Sequence, residues 1–159
     1  MDIAKSYITL LGGRSIVISG VKDYKFKVRE LLKEKGVKPT VHRVEILEYL
    51  IDSYSHPSAD EIYEHFVKEK KLPVLSRATV YNTLRALASA GLVKVIITPD
   101  AIRYDFVRQN HHHFYCTKCK RIYDVELNVE LPSISSINGH EVQNVQLTLV
   151  GICKECLKK

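Results

Sequence analysis

Four cysteines fall in two pairs, Cys116-x-x-Cys119 and Cys153-x-x-Cys156, and three consecutive histidines, His111-His112-His113, stand just before the first pair. Thiolates are soft metal ligands, and imidazoles suit borderline metals. Two Cys-x-x-Cys knuckles, separated by 33 residues, offer the donor set of a closed, tetrahedral structural zinc site with no open position. A redox dithiol is one alternative. That chemistry places the pair at the start of a helix after a strand in a βαβ unit, and neither pair sits in such a context. An iron–sulfur cluster is a further option for four thiolates.

The histidines belong to a different chemistry. On a strand, His111 and His113 share a face and His112 points the other way. Asp105 lies a few residues upstream, Asp124 follows the first knuckle, and His56 sits in a connector far earlier in the chain. Together they make a sulfur-free N/O set, which suits Fe²⁺ or Mn²⁺ and also accepts Zn²⁺ or Co²⁺. Its members come from both halves of the chain, so a bound metal could fix the orientation of one half against the other. His42, His65 and His140 read as ordinary surface or capping groups.

The elements that must carry these residues follow from periodicity. Residues 1–21 show no clear period and no motif, and an extra helix, a disordered arm or a start-site artefact are the readings open for them. They lack the basic n-region and continuous apolar run of a signal peptide. No stretch of 18 apolar residues exists, so no membrane span is expected, and a cytoplasmic location follows. Tyr24, Val28, Leu31 and Leu32 form one helical face, stopped by Gly36. A second helix starts at Pro39-Thr40 with Ile46, Leu47, Leu50 and Ile51 as its stripe. After His56-Pro57, Ser58-Ala59-Asp60-Glu61 is a capping box opening a third helix, which Leu72-Pro73 should end. Ser76 caps a fourth, Arg77 to Ala90, closed by Gly91. Two β-rich runs follow, Leu92–Thr98 and Ile102–Val107, with Pro99-Asp100-Ala101 turning between them. Helices followed by a β-hairpin point to a winged helix-turn-helix over residues 22–108. Residues 109–159 are β-prone and hold every cysteine, with strands expected at Phe114-Tyr115, Ile122–Leu127 and Val142–Val150. The segment around Pro132 leaves room for only a short helix.

The fourth helix has the surface of a DNA reader. Val80, Leu84, Leu87 and Ala88 face a core. The opposite side is small and polar (Ala78, Thr79, Asn82, Ala86, Ser89), flanked by Tyr81 and Arg85. Asn can pair with an adenine edge, Thr can meet a thymine methyl, and Tyr and Arg can reach bases or phosphates. The net charge of +6 permits nucleic-acid binding without requiring it.

These residues resemble the ferric uptake regulator family. Ser76-Arg77-Ala78-Thr79-Val80-Tyr81-Asn82-Thr83-Leu84 with Gly91-Leu92-Val93 is similar to its recognition helix. His56-Pro57-Ser58-Ala59-Asp60-Glu61-Ile62-Tyr63 is similar to its connector and third helix. The histidine triplet, both knuckles and Asp124 match its metal-binding half. The resemblance covers residues 23–158. It implies an α+β homodimeric repressor, with a winged helix on double-stranded operator DNA and a small α/β dimerisation domain. It assigns Cys116, Cys119, Cys153 and Cys156 to structural zinc. It assigns His56, Asp105, His111, His113 and Asp124 to a regulatory Fe²⁺ or Mn²⁺. Arg77, Thr79, Tyr81, Asn82 and Arg85 are the expected DNA contacts.

Within the family, Asp105 and Asp124 (glutamate in iron-responsive members), the His-His-His triplet and Asn82 are similar to the peroxide-sensing branch. That branch implies oxidation of a histidine ligand, here His56 or His111, by peroxide reacting with Fe²⁺, and release from DNA. Mn²⁺ is then the peroxide-insensitive corepressor. The alternatives are an iron-responsive regulator of iron uptake, or a zinc- or manganese-responsive one. Many members have histidine where this chain has Val145, so the additional metal site found there is not expected. An enzyme is the competing class, but the chain has no HExxH, GxSxG or Gly-rich phosphate loop. A metal chaperone would leave the helical half without a role.

Overall fold

The computed structural model describes residues 6–9, 15–18, 21–69, 74–108, 111–126, 135–143 and 145–158, with side chains from Tyr24 onward. The fold is α+β, and the chain divides into two compact units, Met1–Gln109 and Asn110–Lys159.

The first unit opens with a hairpin that the sequence pattern does not predict. Residues Ser6–Thr9 (β1) and Ser15–Ile18 (β2) form an antiparallel hairpin, with Tyr7 opposite Val17 and Ile8 opposite Ile16. It is neither a helix nor a structureless arm. These strands are rich in β-branched and aromatic residues, which favour a pleated ribbon, but four-residue strands are too short to show a period.

Four helices follow. They are α1 (Val21–Glu34), α2 (Val41–Asp52), α3 (Ala59–Lys68) and α4 (Arg77–Ser89). Their starts obey capping chemistry. The Thr40 hydroxyl accepts from the Arg43 N–H at α2, and Ser76 accepts from the Thr79 N–H at α4. At α3 the reciprocal box is complete: Ser58 Oγ accepts from the Glu61 N–H at 3.2 Å, and Glu61 Oε2 accepts from the Ser58 N–H at 2.7 Å. Gly36 and Gly91 close α1 and α4 with φ of +71° and +69°. The residue after each glycine donates back five positions, Val37 to Leu32 and Leu92 to Leu87. That 6→1 bond needs a left-handed residue, which glycine adopts without strain. α3 ends at Lys68; the stop expected at Leu72-Pro73 lies outside the described residues.

Each helix buries one stripe. Leu32, Ile46, Leu47, Leu50, Ile62, Phe66, Leu84, Leu87 and Phe106 are fully buried in one cluster. Each such side chain stabilises the unit by about 1.5–3 kcal/mol relative to exposure. Thr83 joins the buried side of α4, while Ala88 is only half-buried. β3 (Val93–Ile97) and β4 (Ile102–Phe106) then form an antiparallel hairpin, with Lys94 opposite Asp105.

The second unit is a three-stranded sheet in the order β6-β5-β9, built from β5 (His112–Cys116), β6 (Ile122–Val125) and β9 (Thr148–Gly151). β5 pairs antiparallel with β6 and parallel with β9. A two-residue-per-strand hairpin, β7 (Ser136–Ile137) and β8 (His140–Glu141), lies between, and α5 (Lys154–Leu157) follows. The strand expected at Val142–Val150 is real only from Thr148; the described residues before it do not pair as a strand. Val145 is exposed there and outside any strand, so its β propensity has no sheet face to cover. The short helix expected around Pro132 lies outside the described residues. Among the described residues, this unit buries few apolar side chains, chiefly Tyr115, Ile122, Cys116 and Cys153.

The capping box gives a test. Ser58→Ala is expected to lower the stability of the helical unit by about 1 kcal/mol, read as a lower urea midpoint by far-UV circular dichroism. An unchanged midpoint would mean that the box does not hold the start of α3.

Candidate metal centres and nucleic-acid interface

Strand pairing builds the cysteine cluster. Parallel register sets Cys116 opposite Gly151, two residues before Cys153. Thr117 N–H donates to the Gly151 carbonyl at 2.8 Å, and Lys120 N–H donates back to the Cys116 carbonyl at 2.8 Å, turning the first knuckle. A Cβ on Gly151 would lie 3.1 Å from the Phe114 ring, so glycine lets the two strands close. The four Sγ atoms lie within 4.8 Å of one another. Cys119 and Cys153 are 3.7 Å apart. A tetrahedral zinc at about 2.3 Å from each sulfur sets the sulfurs about 3.8 Å apart. All four cysteines are thiols rather than disulfides, so the set fits the ion.

Electrostatics say the same. Burial raises the Cys116 thiol, but N–H groups of Cys119, Cys153 and Lys118 offset it and hold the group down at about 6. Burial raises Cys156, and the crowding thiols of Cys153, Cys119 and Cys116 raise it further, to about 12. Four thiolates this close need a cation between them. The Tyr123 hydroxyl donates to Cys153 Sγ at 3.4 Å and to Glu155 Oε2 at 3.1 Å. The sequence carries no signal for this role of Tyr123, which follows from its register opposite Phe114.

The other face of the same strand carries the imidazoles. His111 Nε2 and His113 Nε2 are 3.1 Å apart. Asp124, opposite His113 across β5–β6, places Oδ1 3.5 Å from His111 Nε2 and 3.8 Å from His113 Nε2. His113 and Cys116 are three residues apart on one strand, so the pleat sends them to opposite faces. The two donor sets of this unit are separated by that alternation.

In the helical unit, β4 lies alongside the connector between α2 and α3. Tyr104 N–H donates to the Pro57 carbonyl at 3.0 Å, and Ser58 bridges to Arg103. This register brings Asp105 Oδ1 to 3.8 Å from His56 Nε2, with both side chains almost fully buried. His56 has φ +50° and precedes a proline, a conformation that a non-glycine residue adopts only under constraint. Arg103 supplies it. Its Nη1 donates to the His56 carbonyl at 3.3 Å and to Glu61 Oε2 at 3.1 Å, and its Nη2 to Asp100 Oδ2 at 3.2 Å. The sequence gives no sign of the Arg103 clamp, because Glu61 and His56 are 42 and 47 residues away.

On α4, Tyr81, Asn82 and Arg85 are exposed, and Arg85 donates to the Asn82 amide oxygen at 3.3 Å. Thr79 is half-buried, its hydroxyl 2.8 Å from that of Ser76. Arg77 pairs with Asp60 at 2.9 Å and covers the Tyr63 ring, so it must exchange partners to reach a phosphate. A groove of about 360 Å³ runs between α4 and the β3–β4 hairpin, lined by Tyr81, Asn82, Arg85 and Tyr104 among others.

Comparison with known proteins places this architecture. The ferric uptake regulator family profile matches residues 34–150. The chain is 42% identical over 134 residues to the peroxide operon regulator of Bacillus subtilis, covering 82% of this chain and 91% of that one. It is 38% identical over 130 residues to the peroxide-responsive repressor PerR of Staphylococcus epidermidis, covering 79% and 85%. Its structure is similar to the crystal structure of the Vibrio cholerae ferric uptake regulator, with a TM-score of 0.63, 26% identity, and coverage of 79% and 98%. Among the described residues, no helix is long and apolar enough to cross a membrane.

The thiol chemistry gives the prediction here. Zinc must displace the Cys156 proton at neutral pH, and as pH falls through about 6 it must also compete for Cys116. Zinc affinity is therefore expected to fall as pH is lowered, with proton release on zinc addition, read by a pH-indicator dye. Cys116→Ser should lose the tightly held zinc in native mass spectrometry. Zinc uptake without proton release, or zinc retained by the variant, would contradict the four-thiolate site.

Proposed function

The chain belongs to the ferric uptake regulator family, and we propose that it is a homodimeric, metal-dependent repressor that senses peroxide. The observation that carries this reading is the presence of two donor sets of different chemistry in one sheet. Four thiols crowd on one face, while His111, His113 and Asp124 sit on the other. The sulfur set is closed and holds zinc permanently, because tetrahedral thiolate coordination leaves no position for a reactant. The His/Asp set is the switch. His56 and Asp105 complete it from the helical unit, so that filling it selects one arrangement of the two units.

When bound, Fe²⁺ supplies a reductant for peroxide, whereas Mn²⁺ supports the same arrangement without it. The chain's own contribution is to hold imidazoles where that chemistry occurs. His56, fixed by Arg103 and buried beside Asp105, and His111 are the side chains positioned to be oxidised. Losing either as a donor empties the switch. The identity of the two curated relatives supports peroxide as the signal, and the aspartates at 105 and 124 agree with it.

The helical unit is the DNA-binding half, a winged helix-turn-helix with α4 as the recognition helix and β3–β4 as the wing. Tyr81, Asn82 and Arg85 present base- and phosphate-seeking groups on an exposed face, with Arg77 and Thr79 at its start. Two such helices in a dimer meet half-sites on one face of DNA. Phosphate contacts make the binding steeply salt-dependent.

The test is operator binding by the purified, zinc-replete dimer, followed by fluorescence anisotropy. Weak binding is expected without a second metal, and tight binding with Mn²⁺ or with Fe²⁺. Peroxide should abolish only the Fe²⁺-supported binding. Metal-independent binding would overturn the switch. Metal-dependent binding indifferent to peroxide would make the protein an iron- or manganese-responsive regulator.

A further inference from the structure

Asp105 has a second neighbour besides His56. The same carboxylate oxygen, Oδ1, lies 3.8 Å from His56 Nε2 and 3.7 Å from Arg108 Nη1. Arg108 is held firmly there. Its Nη2 donates to the carbonyls of Ile51 and Ser53 at the C-terminal end of α2, and its guanidinium stacks 4.2 Å over the Tyr54 ring. Unpaired carbonyls at a helix end carry partial negative charge and favour a cation. Three independent contacts thus aim a permanent positive charge at a carboxylate that is 2% exposed.

We propose that Arg108 is the resident counter-cation of Asp105 and sets the metal concentration at which the regulatory site fills. The inference rests on the reading that His56 and Asp105 are regulatory-metal ligands. A buried carboxylate without a cation is strongly destabilising, so Arg108 stabilises the metal-free repressor. A divalent ion bound to Asp105 then meets a guanidinium a few ångströms away. Arginine does not deprotonate, and this one is anchored on a helix end and a ring. Its repulsion therefore weakens metal binding, and the site responds at a higher metal level than its ligands alone would give. Arg108 is a positioning and threshold residue; it binds no metal itself.

The experiment titrates Mn²⁺ into the zinc-replete full-length dimer, stripped of its second metal, against a fluorescent chelator. Arg108→Gln is expected to bind Mn²⁺ at least about tenfold more tightly, the order for removing a unit charge close to a dication. Arg108→Lys keeps the charge but loses the fork and the ring stacking that hold it in place, so its affinity should fall between those of the parent and Arg108→Gln. In an Asp105→Asn background, Arg108→Gln should still tighten Mn²⁺ binding, because the repulsion acts on the ion itself. A purely structural helix-end role would lower stability and leave Mn²⁺ affinity unchanged in both backgrounds, and that result overturns the proposal. Should Arg108→Gln fail to fold, Tyr54→Ala, which removes the exposed ring that holds the guanidinium, is titrated instead; tighter Mn²⁺ binding is expected, and unchanged binding overturns the proposal. If Asp105→Asn binds Mn²⁺ like the parent, the ligand reading itself fails and the inference with it. If Asp105→Asn weakens binding while Arg108→Gln does not tighten it, only this inference fails.

Discussion

The pairing of β5 with two partners is the constraint on which the metal chemistry depends. Its antiparallel register with β6 sets Asp124 against His113, and its parallel register with β9 sets Cys116 beside the second knuckle. The pleat then sends His113 to one face and Cys116 to the other. A slip of one residue would exchange the faces and dissolve both sets. Zinc stabilises this arrangement in turn, since the unit buries few apolar side chains among its described residues and a closed metal site contributes folding free energy directly.

The helical unit solves a related problem by different means. His56 lies in the connector between α2 and α3. β4 supplies the fixation by running alongside, through the Tyr104–Pro57 hydrogen bond and the Arg103 clamp on the His56 carbonyl. The same strand delivers Asp105 to the imidazole and, at its end, Arg108 to the last turn of α2. The capping box at Ser58 and Glu61 shares the Arg103 guanidinium through Glu61, so the start of α3 and the position of His56 are coupled. A ligand on a loop is thereby held as firmly as one on a strand.

What the sequence revealed followed from local physics. Capping residues, glycine stops and the helical stripes of α1 to α4 are all short-range, and the observed helices agree with them closely. The donor types were legible because cysteine and histidine are rare and their spacing carries chemistry. The pleat rule already separated His112 from its neighbours. Arg103, Arg108 and Tyr123 were hidden because their roles come from register between segments far apart in the chain. The strand expected through Val142 failed for a related reason: β propensity marks a residue able to cover a sheet, and only pairing with β5 supplies one, from Thr148 onward. The N-terminal hairpin was missed because its strands are too short for a period.

We propose that one stretch of cysteines and histidines divides into a permanent staple and a sensor. Peptide mass spectrometry of the Fe²⁺-loaded dimer after brief peroxide treatment tests that division most directly. One added oxygen is expected on the peptide holding His56 or on that holding His111, with all four cysteines unmodified and zinc retained. Oxidised cysteines and released zinc, with both histidines intact, would contradict it and make the sulfur cluster the sensor.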